Sequence, residues 1–238
     1  PRAAPSWRKA GSSAAQAGPT HCGRPDFRAA ASFPGRLRGE APHRESMIGN
    51  HNIFLIGPMG SGKTAVGRQL ARLLRAPFVD SDAEIEARTG AEIALIFEKE
   101  GEAGFRERER EVLEQLTQLE PVVLSTGGGA ILRPENREYL RTRGAVVYLR
   151  TSVAQQASRV RPSRQRPLLA GVDPATKLAE LMAIREPLYS GTADIAVPTD
   201  ERKVRVVAEQ ILRELQARGW QPAVPLRGTR AAATQPGG

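Results

Sequence analysis

The chain has 238 residues, 40% of them hydrophobic, and a formal net charge of +9. That apolar share is enough for a folded core, and no apolar run is long enough for a helical membrane span. The single cysteine, Cys22, excludes an intramolecular disulfide and a cysteine-built metal site, and fits a reducing, cytoplasmic setting.

The excess charge sits at the ends. Residues 1–46 are rich in Ala, Gly, Pro, Ser and Arg, carry 8 basic and 3 acidic side chains, and show no sustained apolar period. They read as a disordered N-terminal extension. Two origins fit it, an organelle transit peptide or a stretch upstream of the natural start; Met47, just before the first strand, is favoured as that start. Residues 216–238 hold 3 basic and no acidic side chains, with Pro222, Pro225 and Pro236, and read as a disordered C-terminal tail in which Trp220 packs at most locally. Residues 47–215 carry 24 basic and 23 acidic side chains. The near balance of this expected single domain argues against nucleic acid as a partner.

The first buried strand is expected at residues 52–56, and Gly57 to Thr64 follows as Gly-Pro-Met-Gly-Ser-Gly-Lys-Thr. This satisfies the GxxxxGK[ST] pattern between a strand and a helix, which makes it a phosphate-binding loop. Its glycines let backbone N–H groups converge on phosphate oxygens, Lys63 adds a mobile positive charge, and the Thr64 hydroxyl can ligate Mg²⁺. The next helix carries Val66, Leu70, Leu73 and Leu74 at helical spacing.

Phe78 and Val79 lead into Asp80-Ser81-Asp82. Alone, this step fits a helix N-cap by Asp82 as well as it fits one carboxylate near Mg²⁺ and the other on a substrate hydroxyl; the phosphate loop upstream favours the second. Residues 91–119 read as helical, interrupted by Gly101-Glu102-Ala103-Gly104-Phe105-Arg106. Arg108, Glu109 and Arg110 read as a solvated face, and Arg106 as a side chain aimed from a helix start into a cleft.

A third strand, Val122 to Ser125, runs into Thr126-Gly127-Gly128-Gly129. Three glycines at a strand's C-terminal end admit close approach to the backbone, where open parallel sheets bind ligands, although such clusters also mark plain turns. A helix at residues 134–143 and a fourth strand at 145–149 come next. Arg159, Arg161, Arg164 and Arg166 then crowd into eight residues beside Pro162 and Pro167. Arg166 is assigned to a lid closing over phosphate, and Arg161 and Arg164 to solvent. A helix over residues 174–186 ends at Arg185-Glu186-Pro187-Leu188-Tyr189, where an arginine usually meets exposed carbonyls. A fifth strand at 195–197 and a helix at 204–215 close the domain. The alternation predicts an α/β fold: one domain with a five-stranded, mostly parallel sheet, helices on both faces, and a lid.

The phosphate loop, Asp80-Ser81-Asp82, Gly101-Glu102 with Phe105-Arg106, Ser125 to Gly129, Arg166-Pro167-Leu168-Leu169 and Arg185 to Tyr189 occur in this order. Together they closely resemble shikimate kinases, from Met47 to about Leu215. The resemblance implies a P-loop kinase that uses ATP and Mg²⁺ to phosphorylate the 3-hydroxyl of shikimate, on the route to chorismate and aromatic amino acids. It implies that Gly60, Ser61, Gly62, Lys63, Thr64 and Ala65 hold the ATP phosphates, that Thr64 ligates Mg²⁺, and that Asp80 acts on the ion through water. Lys63, Asp82 and Arg166 would be catalytic. Asp82 would bind the reacting diol and accept its proton, Arg106 and Arg185 would grip the substrate carboxylate, and Gly128 would lie against the ring. Arg166 would be the lid arginine and Arg202 would lie near the nucleotide base. The partners implied are shikimate and ATP, with a monomeric enzyme expected. Another small-molecule kinase, such as a gluconate kinase, would explain the loop but not Arg185 to Tyr189 beside the triple glycine.

Overall fold

The computed structural model describes residues 51–159 and 173–223. The expected extension at 1–46, the segment with Arg161, Arg164 and Arg166, the lid it was assigned to, and the tail beyond Ala223 lie outside the described residues.

Five strands are present: β1 (Ile53–Ile56), β2 (Phe78–Asp80), β3 (Val123–Ser125), β4 (Ala145–Arg150) and β5 (Ile195–Pro198). They form one sheet in the order β2-β3-β1-β4-β5, and every pairing is parallel, so the expected mostly parallel sheet is parallel throughout. Parallel neighbours need crossovers, and here these are α1 (Lys63–Leu74), α2 (Ser81–Thr89), α3 (Ile93–Leu116), α4 (Pro134–Arg143), α5 (Val153–Arg159) and α6 (Pro174–Thr192). The closing helix is α7 (Val204–Ala217).

Because side chains alternate across a strand, β1 sends Ile53 and Leu55 to one face and Phe54 and Ile56 to the other. The first pair packs with Val66, Leu70 and Leu74 of α1 and Val207, Ile211 and Leu215 of α7. The second pair packs with Ile85 of α2, Phe105, Val112 and Leu113 of α3, Leu140 of α4 and Tyr189 of α6. Both faces of the sheet are covered, which is why β1 and most of β4 are apolar without interruption.

Two boundaries differ from expectation, and a third is narrower than expected. The break before Arg106 narrows to a single kink in α3 at Gly101 (φ 69°, ψ −176°), a conformation open to glycine, and the helix resumes at once. Two helical segments meet at Gly101, and Arg106 stands about one turn into the second, close to a helix start as expected. Helix α6 continues through Pro187 to Thr192, so Arg185 is internal and does not cap a helix end. The domain also runs past Leu215: α7 extends to Ala217, and Trp220 is buried in the core beside α7. Among the described residues no helix is long and apolar enough to cross a membrane.

Trp220→Ala should destabilise the full chain by about 3 to 5 kcal/mol in urea denaturation. A loss under about 1 kcal/mol would return Trp220 to the tail.

Candidate active site

In a parallel sheet all strands end at one edge, so the segments leaving β1, β2 and β3 meet there. They line a cleft of about 480 Å³ that gathers Gly60, Gly62, Lys63, Thr64 and Ala65 with Asp80, Asp82, Arg106, Gly128 and Arg185. Phe97 and Phe105 add an apolar wall, with ring centroids 4.6 Å apart.

The loop after β1 uses glycine where other residues would strain: Gly60 and Gly62 have φ of 78° and 90°. Gly62 is the N-cap of α1 and offers no side chain to its first N–H groups, which leaves them available to an anion. Lys63 Nζ donates to the carbonyls of Gly57 and Pro58 at 2.8 and 2.9 Å, folding over the loop. Ser61 is buried beneath the loop and not part of the cleft wall.

At the end of β2, Asp80 is the N-cap of α2: its Oδ1 accepts from the Asp82 N–H at 3.2 Å. The alternative reading of Asp82 as the cap thus falls to Asp80, because the helix starts two residues earlier, at Ser81 and not Ala83. Asp80 Oδ2 also accepts from Thr64 Oγ1 at 2.9 Å. Two oxygen donors beside a phosphate loop match the preference of Mg²⁺, which takes one or two protein oxygens and leaves the rest of its shell to phosphate and water. No cluster of three or more His, Cys, Asp or Glu that could hold a metal occurs among the described residues.

Asp82, one residue into α2, is released into the cleft, and its Oδ1 has no hydrogen-bond partner. Burial pushes its carboxyl up to about 7, with Glu109 and Asp80 adding to the effect and Lys63 and Arg106 opposing it.

Beneath the glycines lies a buried ion pair. Arg106 Nη1 donates to Glu109 Oε2 at 2.8 Å and Nη2 to Glu102 Oε1 at 3.0 Å. Glu109 is 0% exposed, which overturns its assignment to a solvated face. Burial raises its carboxyl despite the attraction of Arg106, and its Oε1 has no partner. Arg108 is surface-paired with Glu100, as expected of that face, whereas Arg110 is half-buried between Glu107 and Glu114.

The triple glycine has a steric cause. A Cβ on Gly127 would lie 2.6 Å from both Asp82 Oδ1 and Glu109 Oε1, and one on Gly129 would lie 2.2 Å from Arg106 Nη2. Gly128 differs: its nearest neighbour would be Met59 N at 3.5 Å, an ordinary contact. Arg185, 4% exposed, donates to the Gly128 carbonyl at 3.4 Å, as does the Tyr189 hydroxyl at 2.5 Å.

The fold does not bring Arg202 into the cleft; it is exposed after β5 and bonded to Gln210. Arg159, which had no assigned role, bridges to the phosphate loop: Nη1 donates to Gly60 O at 3.1 Å and Nη2 to Thr199 O at 3.2 Å. Glu109 was also missed. Its position four residues after Phe105 and three before Val112 puts it on the buried stripe of α3, a signal the surrounding charges hide.

Residues 59–216 match the family model described as shikimate kinase. A shikimate kinase of Pseudomonas syringae pv. tomato is 56% identical over 164 residues, covering 69% of this chain and 95% of the relative. The solved shikimate kinase of Acinetobacter baumannii in complex with shikimate aligns with a TM-score of 0.70 and 49% identity, over 72% of this chain and 96% of the other. That of Aquifex aeolicus aligns at 0.63 and 39%, over 71% and 98%.

In the ligand-free chain the Asp82 carboxyl should titrate near pH 7 when followed by carbon-13 NMR, and a midpoint near 4 would contradict the burial argument. Because the folded pKa is the raised one, stability falls as pH rises from about 4 towards 7. Asp82→Asn should accordingly gain stability relative to the parent across that window.

Proposed function

Because the chain belongs to the shikimate kinase family and is an enzyme that transfers the γ-phosphoryl group of ATP to the 3-hydroxyl of shikimate, we propose the following roles for its residues. The observation that carries the proposal is the meeting of a phosphate loop with Asp82, Arg106, Gly128 and Arg185 in one cleft.

The loop from Gly60 to Ala65 binds the ATP phosphates through backbone N–H groups, and Lys63 leaves the loop carbonyls to follow the transferred phosphoryl group. Thr64, with Asp80 through water, holds Mg²⁺; bound there, the ion supplies positive charge against the phosphate oxygens. On the opposite side, Arg106 and Arg185 bind the shikimate carboxylate, and the Gly128 backbone lies against the ring. A guanidinium fork matches a carboxylate, and two such groups in a buried cleft favour an anionic substrate over a neutral sugar. Asp82 accepts a hydrogen bond from the reacting hydroxyl and takes its proton as the new P–O bond forms; the bond from the γ-phosphorus to the bridging oxygen breaks, and ADP leaves.

Arg166, outside the described residues, would cover the transferred phosphoryl group and help keep water from acting as acceptor. Arg202 would reach the nucleotide base only after releasing Gln210. A cytoplasmic monomer completes the proposal, and its monomeric state is supported by one chain supplying both halves of the cleft. The working domain begins near Met47 and ends with α7 and Trp220.

A coupled assay of ADP release with shikimate and ATP tests these roles. Lys63→Ala should lower kcat by on the order of 100-fold or more. Arg106→Ala and Arg185→Ala should each weaken shikimate binding by about 2 to 5 kcal/mol, seen as a raised KM. A KM for shikimate near the parent value in both arginine variants would overturn the carboxylate assignment.

A further inference from the structure

Tyr189 and Tyr148 are both 0% exposed, and the chemistry above uses neither. Tyr189 lies on α6 one turn beyond Arg185, and both side chains donate to the same oxygen, Gly128 O, at 2.5 and 3.4 Å. The Tyr189 ring stacks on Tyr148 of β4, with centroids 5.0 Å and planes 17° apart. The Tyr148 hydroxyl donates to Glu186 Oε2, and Ser190 Oγ donates to Glu186 Oε1 at 3.2 Å. The turn from Arg185 to Ser190 is thus latched twice, to β4 through Glu186 and to the glycine strap through Tyr189.

These latches matter because the helix is weak at this point. Pro187 has no N–H to give the Ala183 carbonyl, so the backbone ladder is incomplete in the turn that carries Arg185. Side-chain bonds to Tyr148 of β4 and to the segment after β3 supply what the ladder lacks. The Tyr189 phenol is pushed upward by burial, so it remains a donor across the working pH range.

We propose that Tyr189 is a positioning residue for the acceptor half of the site. By gripping the Gly128 carbonyl it fixes the strap and sets where Arg185 stands against it, without itself touching the substrate. This rests on the assignment of Gly128 and Arg185 to shikimate.

Tyr189→Phe keeps the ring and the stack and removes only the hydroxyl. Steady-state kinetics on the full chain, with shikimate and ATP varied separately and Arg185→Ala run in parallel, tests the proposal. Tyr189→Phe should raise KM for shikimate about fivefold or more while KM for ATP stays within about twofold, as expected for losing one buried hydrogen bond local to the acceptor. A purely structural tyrosine would lower the melting temperature and leave KM for shikimate alone, or raise both KM values together, and either result overturns the proposal. If Arg185→Ala raises KM for shikimate and Tyr189→Phe does not, only the positioning role falls. If neither variant changes it, the acceptor assignment falls and the positioning role with it.

Discussion

The site depends on keeping the Arg106 guanidinium charged inside a cleft where little water reaches it. Arg106 is 8% exposed, and Glu109, its 2.8 Å partner, is 0% exposed. Removing one member of such a pair strands the other charge in a medium that solvates it poorly, at a cost of about 3 to 5 kcal/mol. The pair also sets the shape of its surroundings. Its guanidinium occupies the space where a Gly129 side chain would stand, and its carboxylate crowds Gly127. Gly129 and, with Asp82 crowding it too, Gly127 are therefore packing consequences of burying a charge pair at a sheet edge, whereas Gly128 is not held to glycine by such a contact.

Topology brings this charge pair to the phosphate loop. Since β1 pairs with β3 directly, the loop leaving β1 and the glycines leaving β3 are neighbours at the edge, while β2 delivers Asp80 and Asp82 from one strand further out. The Thr126 N–H and hydroxyl both donate to Leu55 O at 3.1 Å, tying the glycine segment to the last turns of β1 before the loop. The phosphate loop and the glycine segment thus share one floor. Helix α6 is positioned in part by side chains, because Pro187 interrupts its ladder beside Arg185.

Most of the architecture was legible in the sequence because its signals are local. Continuous apolar runs mark buried parallel strands, and GxxxxGK[ST] between strand and helix marks a phosphate site. What was hidden depended on contacts distant in sequence. Glu109 reads as one charge among many in Arg106 to Glu111, and only its register with Phe105, Val112 and Leu116 reveals the buried side. Capping falls to Asp80 and not to Asp82 because the helix starts two residues earlier than Ala83, within the ordinary uncertainty of a boundary. Arg185 looked terminal because proline normally stops a helix, yet Leu188 and Tyr189 pack on the core and carry the helix on to Thr192. Trp220 precedes Pro222, Pro225 and Pro236, which suggest a tail, but its indole completes the core beside α7.

The central claim is that one buried charge cluster, opposite the phosphate loop, receives the acceptor's carboxylate and its reacting hydroxyl. A crystal structure of this chain with shikimate and a non-hydrolysable ATP analogue tests it most directly. The carboxylate should lie within hydrogen-bond distance of both Arg106 and Arg185, about 2.7 to 3.0 Å, with the 3-hydroxyl on Asp82. Shikimate bound with its carboxylate away from both guanidinium groups, or with Asp82 facing no hydroxyl, would contradict the account.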